Sequence, residues 1–246
     1  MSSHQDSDTS GPVKYSWLRN TLRSLSTVDT NSNFGEYFLA FEWRNEPSEI
    51  KKAAKSLLKQ YPQDLRLYNA YFLIERLRGN KETAANVITA ALGMLSSLSE
   101  DEQKNAILLR RTWAWALLDD GDITGSLKCL LGITGGVTEL SQIDASSAGM
   151  MLKAKRHLSS LRDSLLSTGK LHHAVMYAEC LALLAYSSSA SGTGPTSPRQ
   201  GHIEDALWYF DNFSEEMAAR GSEKSTAHEI LHQVAVKLLV HHIGSG

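Results

Sequence analysis

Two stretches of this chain carry one pattern: an aromatic residue, three spacers and a glutamate, in FGEYFLAFEW and again in LYNAYFLIERLRGN. Phe38 precedes Glu42 as Tyr71 precedes Glu75, and the two glutamates are 33 residues apart (75 minus 42). A spacing of four places each pair on one face of a helix. Units of roughly 34 residues, each a pair of helices, bury their apolar faces only by stacking on neighbours. The pattern therefore predicts an all-α solenoid of helical hairpins, an architecture that serves binding more often than catalysis.

Composition is compatible with that expectation. Among 246 residues 42% are hydrophobic and five are proline, enough apolar material for a sizeable core with few helix breakers. The formal charge of −2 and pI near 6.5 provide no global attraction for a polyanion, so direct nucleic-acid binding would depend on a local patch. Cys129 and Cys180 lie far apart in predicted helices, and we read them as reduced, buried, small apolar residues rather than a disulfide framework. The opening MSSHQDSDTSGP lacks a secretory pattern, and residues 1–13 read as a disordered tail ahead of a helical-repeat domain over 14–243. No run approaches the ~18 apolar residues of a membrane span. Even YAECLALLAY is interrupted by Glu179.

Along the chain the hydrophobic period is helical almost throughout. Trp17, Leu18, Leu22 and Leu25 form a first stripe. Asn33 is placed to cap a helix running to about Asn45, Pro47 ends it, and Ser48 is placed to cap the next. That helix has Ile50, Ala53, Ala54, Leu57 and Leu58 on one face and Lys51, Lys52, Lys55 and Lys59 on the other, which reads as a solvated face. Tyr61-Pro62 stops it, and Asp64 caps a helix lasting to Gly79. A longer helix is predicted over Ala145–Thr168 and its partner over Leu171–Tyr186. The SSSASGTGPTSPRQG run at 187–201 is too rich in serine, glycine and proline to pack and reads as a flexible loop. Two helices, from His202 to Arg220 and from Glu223 to about His242, complete the series.

A glycine rule recurs between helices. Gly79 is followed five positions later by Ala84, Gly121 by Ser126 and Gly169 by Ala174. This is the pattern of a helix stop in the left-handed conformation and then a small side chain where the next helix crosses closely. The intervals of 42 (121 minus 79) and 48 (169 minus 121) exceed those of a regular repeat, so the hairpins are degenerate. Trp113 stands eight residues before Gly121, as Tyr71 stands eight before Gly79, and both read as packing residues.

One segment has the form of a metal motif. His228-Glu229-Ile230-Leu231-His232 fits H-E-x-x-H, in which two histidines one turn apart bind zinc and the glutamate activates water. The HxxGxxH extension is missing, His241 and His242 belong to the same rod, and no strand is predicted to hold an extended substrate. We read His228 and His232 as border residues of the stripe formed by Ala227, Ile230, Leu231, Val234 and Leu238. A zinc metallohydrolase using HEILH is the distant alternative. No GxxxxGK[ST], GxGxxG, CxxC or GxSxG pattern occurs. The adjacent acids Asp119-Asp120 and Glu215-Glu216 diverge on a helix and read as surface charge. No catalytic residue, metal ligand or cofactor is assigned.

The run from Phe34 to about Leu131, with FGEYFLAFEWRN, KKAAKSLLKQYPQDLRLYNAYFLIERLRGN, AANVITAAL and RRTWAWALLDDGD, resembles the nuclear-RNAi-defective (necessary for RNA interference) family. Its members carry half-a-TPR (HAT) repeats, relatives of the tetratricopeptide (TPR) hairpin. The resemblance implies a non-catalytic scaffold of the nucleus, acting in RNA silencing, RNA surveillance or pre-mRNA processing, with an exosome-linked RNA helicase and splicing factors as partners. A generic TPR-like cytoplasmic adaptor is the alternative with the same fold. About five helix pairs are expected, with Phe38, Tyr71 and Trp113 holding hairpins together and Glu42 and Glu75 bonding a neighbouring hairpin or facing a partner. Trp43, Arg76 and Arg78 are the candidate partner-binding residues, being arginine and tryptophan beside the repeat face.

Overall fold

A computed structural model describes residues 15–28, 34–99, 103, 105–134, 139–188 and 201–245. The N-terminal tail, the Asn33 cap and residues 189–200 of the predicted loop lie outside the described residues. Among those described, the elements are helical: α1 (Tyr15–Val28), α2 (Phe34–Asn45), α3 (Ile50–Gln60), α4 (Leu65–Leu77), α5 (Lys81–Gly93), α6 (Ala106–Asp119), α7 (Ile123–Leu131), α8 (Ala148–Ser167), α9 (Leu171–Ser188), α10 (Ile203–Ala219) and α11 (Thr226–Gly244). Short 3-10 turns occur at Leu95–Ser97, Gly132–Thr134 and Leu140–Gln142. The fold is all-α and of helical-repeat type, helices packing on their neighbours in the chain.

The chain divides into two compact units, Met1–Ala84 and Ala85–Gly246, the division falling inside α5. In the first, α2 packs against α1, α3 and α4, and α3 also meets α4. In the second, α9 is held by α6, α7, α8, α10 and α11. That enclosure explains its composition: from Ala174 to Ser187 every residue except Met176 is buried, and a helix apolar all round must lie inside.

The glycine rule is realised as one repeated turn. Gly79, Gly121 and Gly169 have φ of 80°, 78° and 70°, a region that costs residues with a Cβ. After each, the next residue's N–H reaches back to close the helix end: Asn80 to Glu75 O, Asp122 to Leu117 O and Lys170 to Leu165 O, at 2.8–2.9 Å. This six-to-one bond, with the glycine N–H bonded to Arg76 O, Leu118 O or Leu166 O, is a Schellman end and satisfies carbonyls the helix leaves open. Ala84, Ser126 and Ala174 are then fully enclosed. Gly221, which the pattern did not single out, has φ of 72° and the same bond, from Ser222 N–H to Met217 O at 2.9 Å. There Glu223-Lys224 form an extra turn, Ser225 caps α11, and the enclosed small residue is Ala227, six positions on rather than five.

Several boundaries differ from the sequence reading. Ser48 does not cap α3: the N-cap is Glu49, whose N–H bonds Glu46 O at 3.0 Å and whose side chain makes no cap. Asp64 does cap α4, accepting from Arg66 N–H at 3.0 Å. The helix expected from Ala145 starts at Ala148, because Ser147 caps it while Asp144 turns back to Ser146. Ser187 and Ser188, assigned to the loop, extend α9. On the far side Gly201 is buried against Tyr186, and His202 N–H bonds the Tyr186 carbonyl at 3.3 Å.

Candidate functional site

In the first unit the predicted aromatic-glutamate pairs are interior. Phe38 and Tyr71 are buried, and Glu42 and Glu75 with them. A buried carboxylate needs donors. Glu42 finds them on another helix, where the Arg19 fork donates from Nε at 2.5 Å and Nη2 at 2.6 Å. Hydrogen bonding to Glu42 raises the Arg19 pKa further above its ordinary value. Glu75 finds its donors locally, Arg78 Nη1 at 3.0 Å and Asn80 Nδ2 at 2.6 Å. Burial, with the Glu75 carboxylate alongside, pushes the Tyr71 phenol up to about 12. Glu42 thus latches α2 to α1, while Glu75 secures the end of its own helix.

The second unit has a counterpart that pattern reading passed over. Trp113 and Trp115 are both buried in α6. Trp115 Nε1 donates to Glu179 Oε1 at 2.5 Å, and Arg111 Nη1 to Glu179 Oε2 at 3.3 Å. Lys237 Nζ of α11 lies 3.8 Å from the Trp115 ring centre, a cation–π contact. His241 meets the same ring edge-on and sits 3.7 Å from Asp119. Burial pushes the Glu179 carboxyl above the ordinary carboxylate range, with Arg111 and Trp115 opposing it. Burial likewise lowers the pKa of Lys237 and of His241. Glu179 joins α6 to α9, and Lys237 and His241 tie α11 to the same indole.

Nearby, buried Arg110 spends its guanidinium on backbone: Nη1 donates to Cys129 O at 3.1 Å and Nη2 to Gly132 O at 3.2 Å. These carbonyls belong to the end of α7, where a cation complements the helix dipole. Desolvation lowers the Arg110 pKa. Cys129 and Cys180 are buried and free. Burial raises the Cys129 thiol to about 11 and Cys180 well above its ordinary value, so neither is poised as a nucleophile.

The HEILH segment lies in α11. His228 has both ring nitrogens engaged, Nε2 with Ser214 Oγ at 2.8 Å and Nδ1 with Glu223 O at 2.8 Å. Since the carbonyl only accepts, Nδ1 carries the proton there and Nε2 accepts from the serine. The His232 ring stands edge-on at 4.4 Å, its side chain exposed. Among the described residues no group of three or more His, Cys, Asp and Glu converges for a metal, and no helix is long and apolar enough to cross a membrane.

Of the candidate partner-binding residues, Trp43 and Arg76 are half-buried, and Arg78 is engaged by Glu75. The large apolar side chains that do reach the surface are others, among them Trp17, Tyr37, Leu77, Trp208, Val240 and Ile243. Arg19, Arg110, Arg111 and Glu179 carry the internal polar latches. The single sequence signal for Glu179 was its position as the lone charge inside YAECLALLAY. No protein-family model matches this chain, and neither does any curated protein or solved structure.

Proposed function

We propose that this chain is a non-catalytic helical-repeat scaffold that holds proteins together in nuclear RNA-silencing, RNA-surveillance or pre-mRNA-processing complexes. The observation that carries the scaffold reading is the use made of the buried ionisable groups. Glu42, Glu179 and Arg110 are spent on latching helices and Glu75 on closing the end of its own, while tryptophan and aliphatic side chains are left exposed on α1, α10 and α11. Enzymes hold buried acids and bases for substrate; a binding module offers aromatic and aliphatic surface to a partner. The nuclear setting and the expected partners, an exosome-linked RNA helicase and splicing factors, rest on the residue resemblance over Phe34 to about Leu131.

Affinity purification of the tagged chain from nuclear and cytoplasmic fractions, followed by mass spectrometry, tests both parts. RNA-processing proteins enriched in the nuclear eluate support the proposal. Enrichment of cytoplasmic partners alone favours a general adaptor with the same fold.

A further inference from the structure

α3, like α6 and α10, begins without a side-chain cap, and unlike them it gathers lysines there. Asp64, Asp122, Ser147 and Ser225 each cap the following helix with a side-chain oxygen. α3 opens on Glu49, which makes no such bond, and has no acidic residue in its first turn. Lys51 and Lys52 occupy that turn, where the helix's own partial charge is already positive. Lys55 and Lys59 follow, so the exposed side of IKKAAKSLLKQ carries four exposed lysines and the helix no acid. A rise of ~1.5 Å per residue sets Lys51, Lys55 and Lys59 about 6 Å apart, inside the Debye length of about 8 Å. Lys55 has like charges at i−4, i−3 and i+4, spacings at which they destabilise a helix. Lys52 pairs with Glu49 at 3.8 Å, both side chains exposed, a contact too weak to offset the repulsion. Local rules are broken where function requires it.

Lys52, alone of the four lysines, lines a groove of about 350 Å³ between α1 and α3 that Phe38 and Glu42 of α2 also line. Arg19 neutralises Glu42, and the Arg23 guanidinium lies 5.6 Å from the Phe38 ring centre. This leaves Arg23 on one wall and Lys52 with its partner Glu49 on the other, so the lining carries three cations against two acids. We propose that this groove and the exposed lysine face of α3, which meet at Lys52, dock an acidic segment of a partner protein. The inference rests on the scaffold reading and names the chemistry of one partner. Carboxylates one helical turn apart, about 6 Å, match the lysine spacing. Single-stranded nucleic acid fits less well, because base stacking needs open aromatic faces, α3 has none and Phe38 is buried.

Fluorescence anisotropy on the full chain tests this with a labelled oligoglutamate peptide, an oligoglutamine of equal length and a single-stranded RNA oligonucleotide. Oligoglutamate is expected to bind in a salt-sensitive manner. Lys52→Gln with Lys55→Gln should weaken it about tenfold, and removal of the same charge by Lys170→Gln with Lys224→Gln should change it by less than about twofold. Lys55→Gln alone should raise the Tm while lowering affinity, because it relieves the repulsion that the ligand otherwise offsets. The proposal is overturned if oligoglutamate fails to bind, if oligoglutamine binds equally, if both lysine pairs weaken binding alike, or if RNA is preferred. Recovery of an unchanged set of partners by the Lys52→Gln, Lys55→Gln chain would remove the groove and leave the scaffold. Loss of all partners from the unaltered chain would remove the scaffold itself.

Discussion

Trp115 donates its indole N–H to the buried carboxylate of Glu179 at 2.5 Å, across 64 residues of sequence. The contact does for the second unit what Arg19 and Glu42 do for the first, 23 residues apart. In each, an enclosed acid is satisfied by another helix, the preceding α1 for Glu42 and the sequence-distant α6 for Glu179, so correct packing of two elements is needed before the charge can be buried. Glu75 differs, since its donors come from the following turn. The end of one helix can make the Glu75 contact alone, whereas Glu42 reports on the packing of consecutive α1 and α2 and Glu179 on that of non-consecutive α6 and α9.

The burial of Glu179 sets a pH dependence. Its carboxyl pKa is raised by desolvation, so the folded chain holds this proton more tightly than the unfolded chain. The associated stability is complete below the unfolded pKa and is lost as pH rises through the folded value. Glu179→Gln keeps an acceptor for Trp115 and removes the titration. The Tm of the native chain relative to the variant should therefore fall as pH rises above the ordinary carboxylate range. A difference that stays constant above the ordinary carboxylate range would mean that burial does not raise the Glu179 pKa.

Removing Arg19 strands Glu42, which is fully enclosed. Arg19→Ala should cost about 2–3 kcal/mol in denaturant unfolding, less than for a pair buried on both sides because Arg19 is partly exposed. Adding Glu42→Leu should restore more than half of the loss, since no charge is then left unpaired. A double variant as unstable as the sum of the two single variants would show that packing, not charge satisfaction, dominates.

At Gly201 the constraint is space. A Cβ built there overlaps the Tyr186 carbonyl oxygen and presses on its ring, and backbone cannot move aside as a side chain does. Gly201→Ala should destabilise by about 1–3 kcal/mol. Gly93, at the end of α5, meets nothing within 4 Å of such a Cβ, and Gly93→Ala should stabilise by about 0.5 kcal/mol. Thermal melts of the two variants should therefore move in opposite directions.

The helical class and most turns were legible because each was encoded locally. Gly79, Gly121 and Gly169 announced their turns through a residue type that alone tolerates the required φ, and Asp64 its cap through its side chain. Gly221 escaped because Glu223-Lys224 displaces the small residue by one position, which breaks the five-residue rule without changing the turn. The latches were less visible. Nothing in the spacing of Arg19 or Arg111 indicates which carboxylate each will meet, since those pairs form only when separate helices pack. The division within α5 left no compositional mark, for the helix runs through it without glycine or proline until Gly93.

The small position after each glycine offers a test of the repeat itself. Ala84 and Ala174 fill it without a polar atom, but Ser126 carries a hydroxyl that is buried and, among the described residues, meets no hydrogen-bond partner. An unsatisfied buried hydroxyl is a net cost, and alanine also favours the helix. Ser126→Ala should stabilise the chain by about 1 kcal/mol, and the converse change Ala174→Ser should destabilise it by a similar amount. If both positions require only smallness, the two substitutions shift the unfolding midpoint in opposite directions and leave the m-value unchanged. A destabilising Ser126→Ala would instead mean that the hydroxyl holds a bond essential to the α6–α7 crossing, and that the three turns are alike in backbone but not in what they pack.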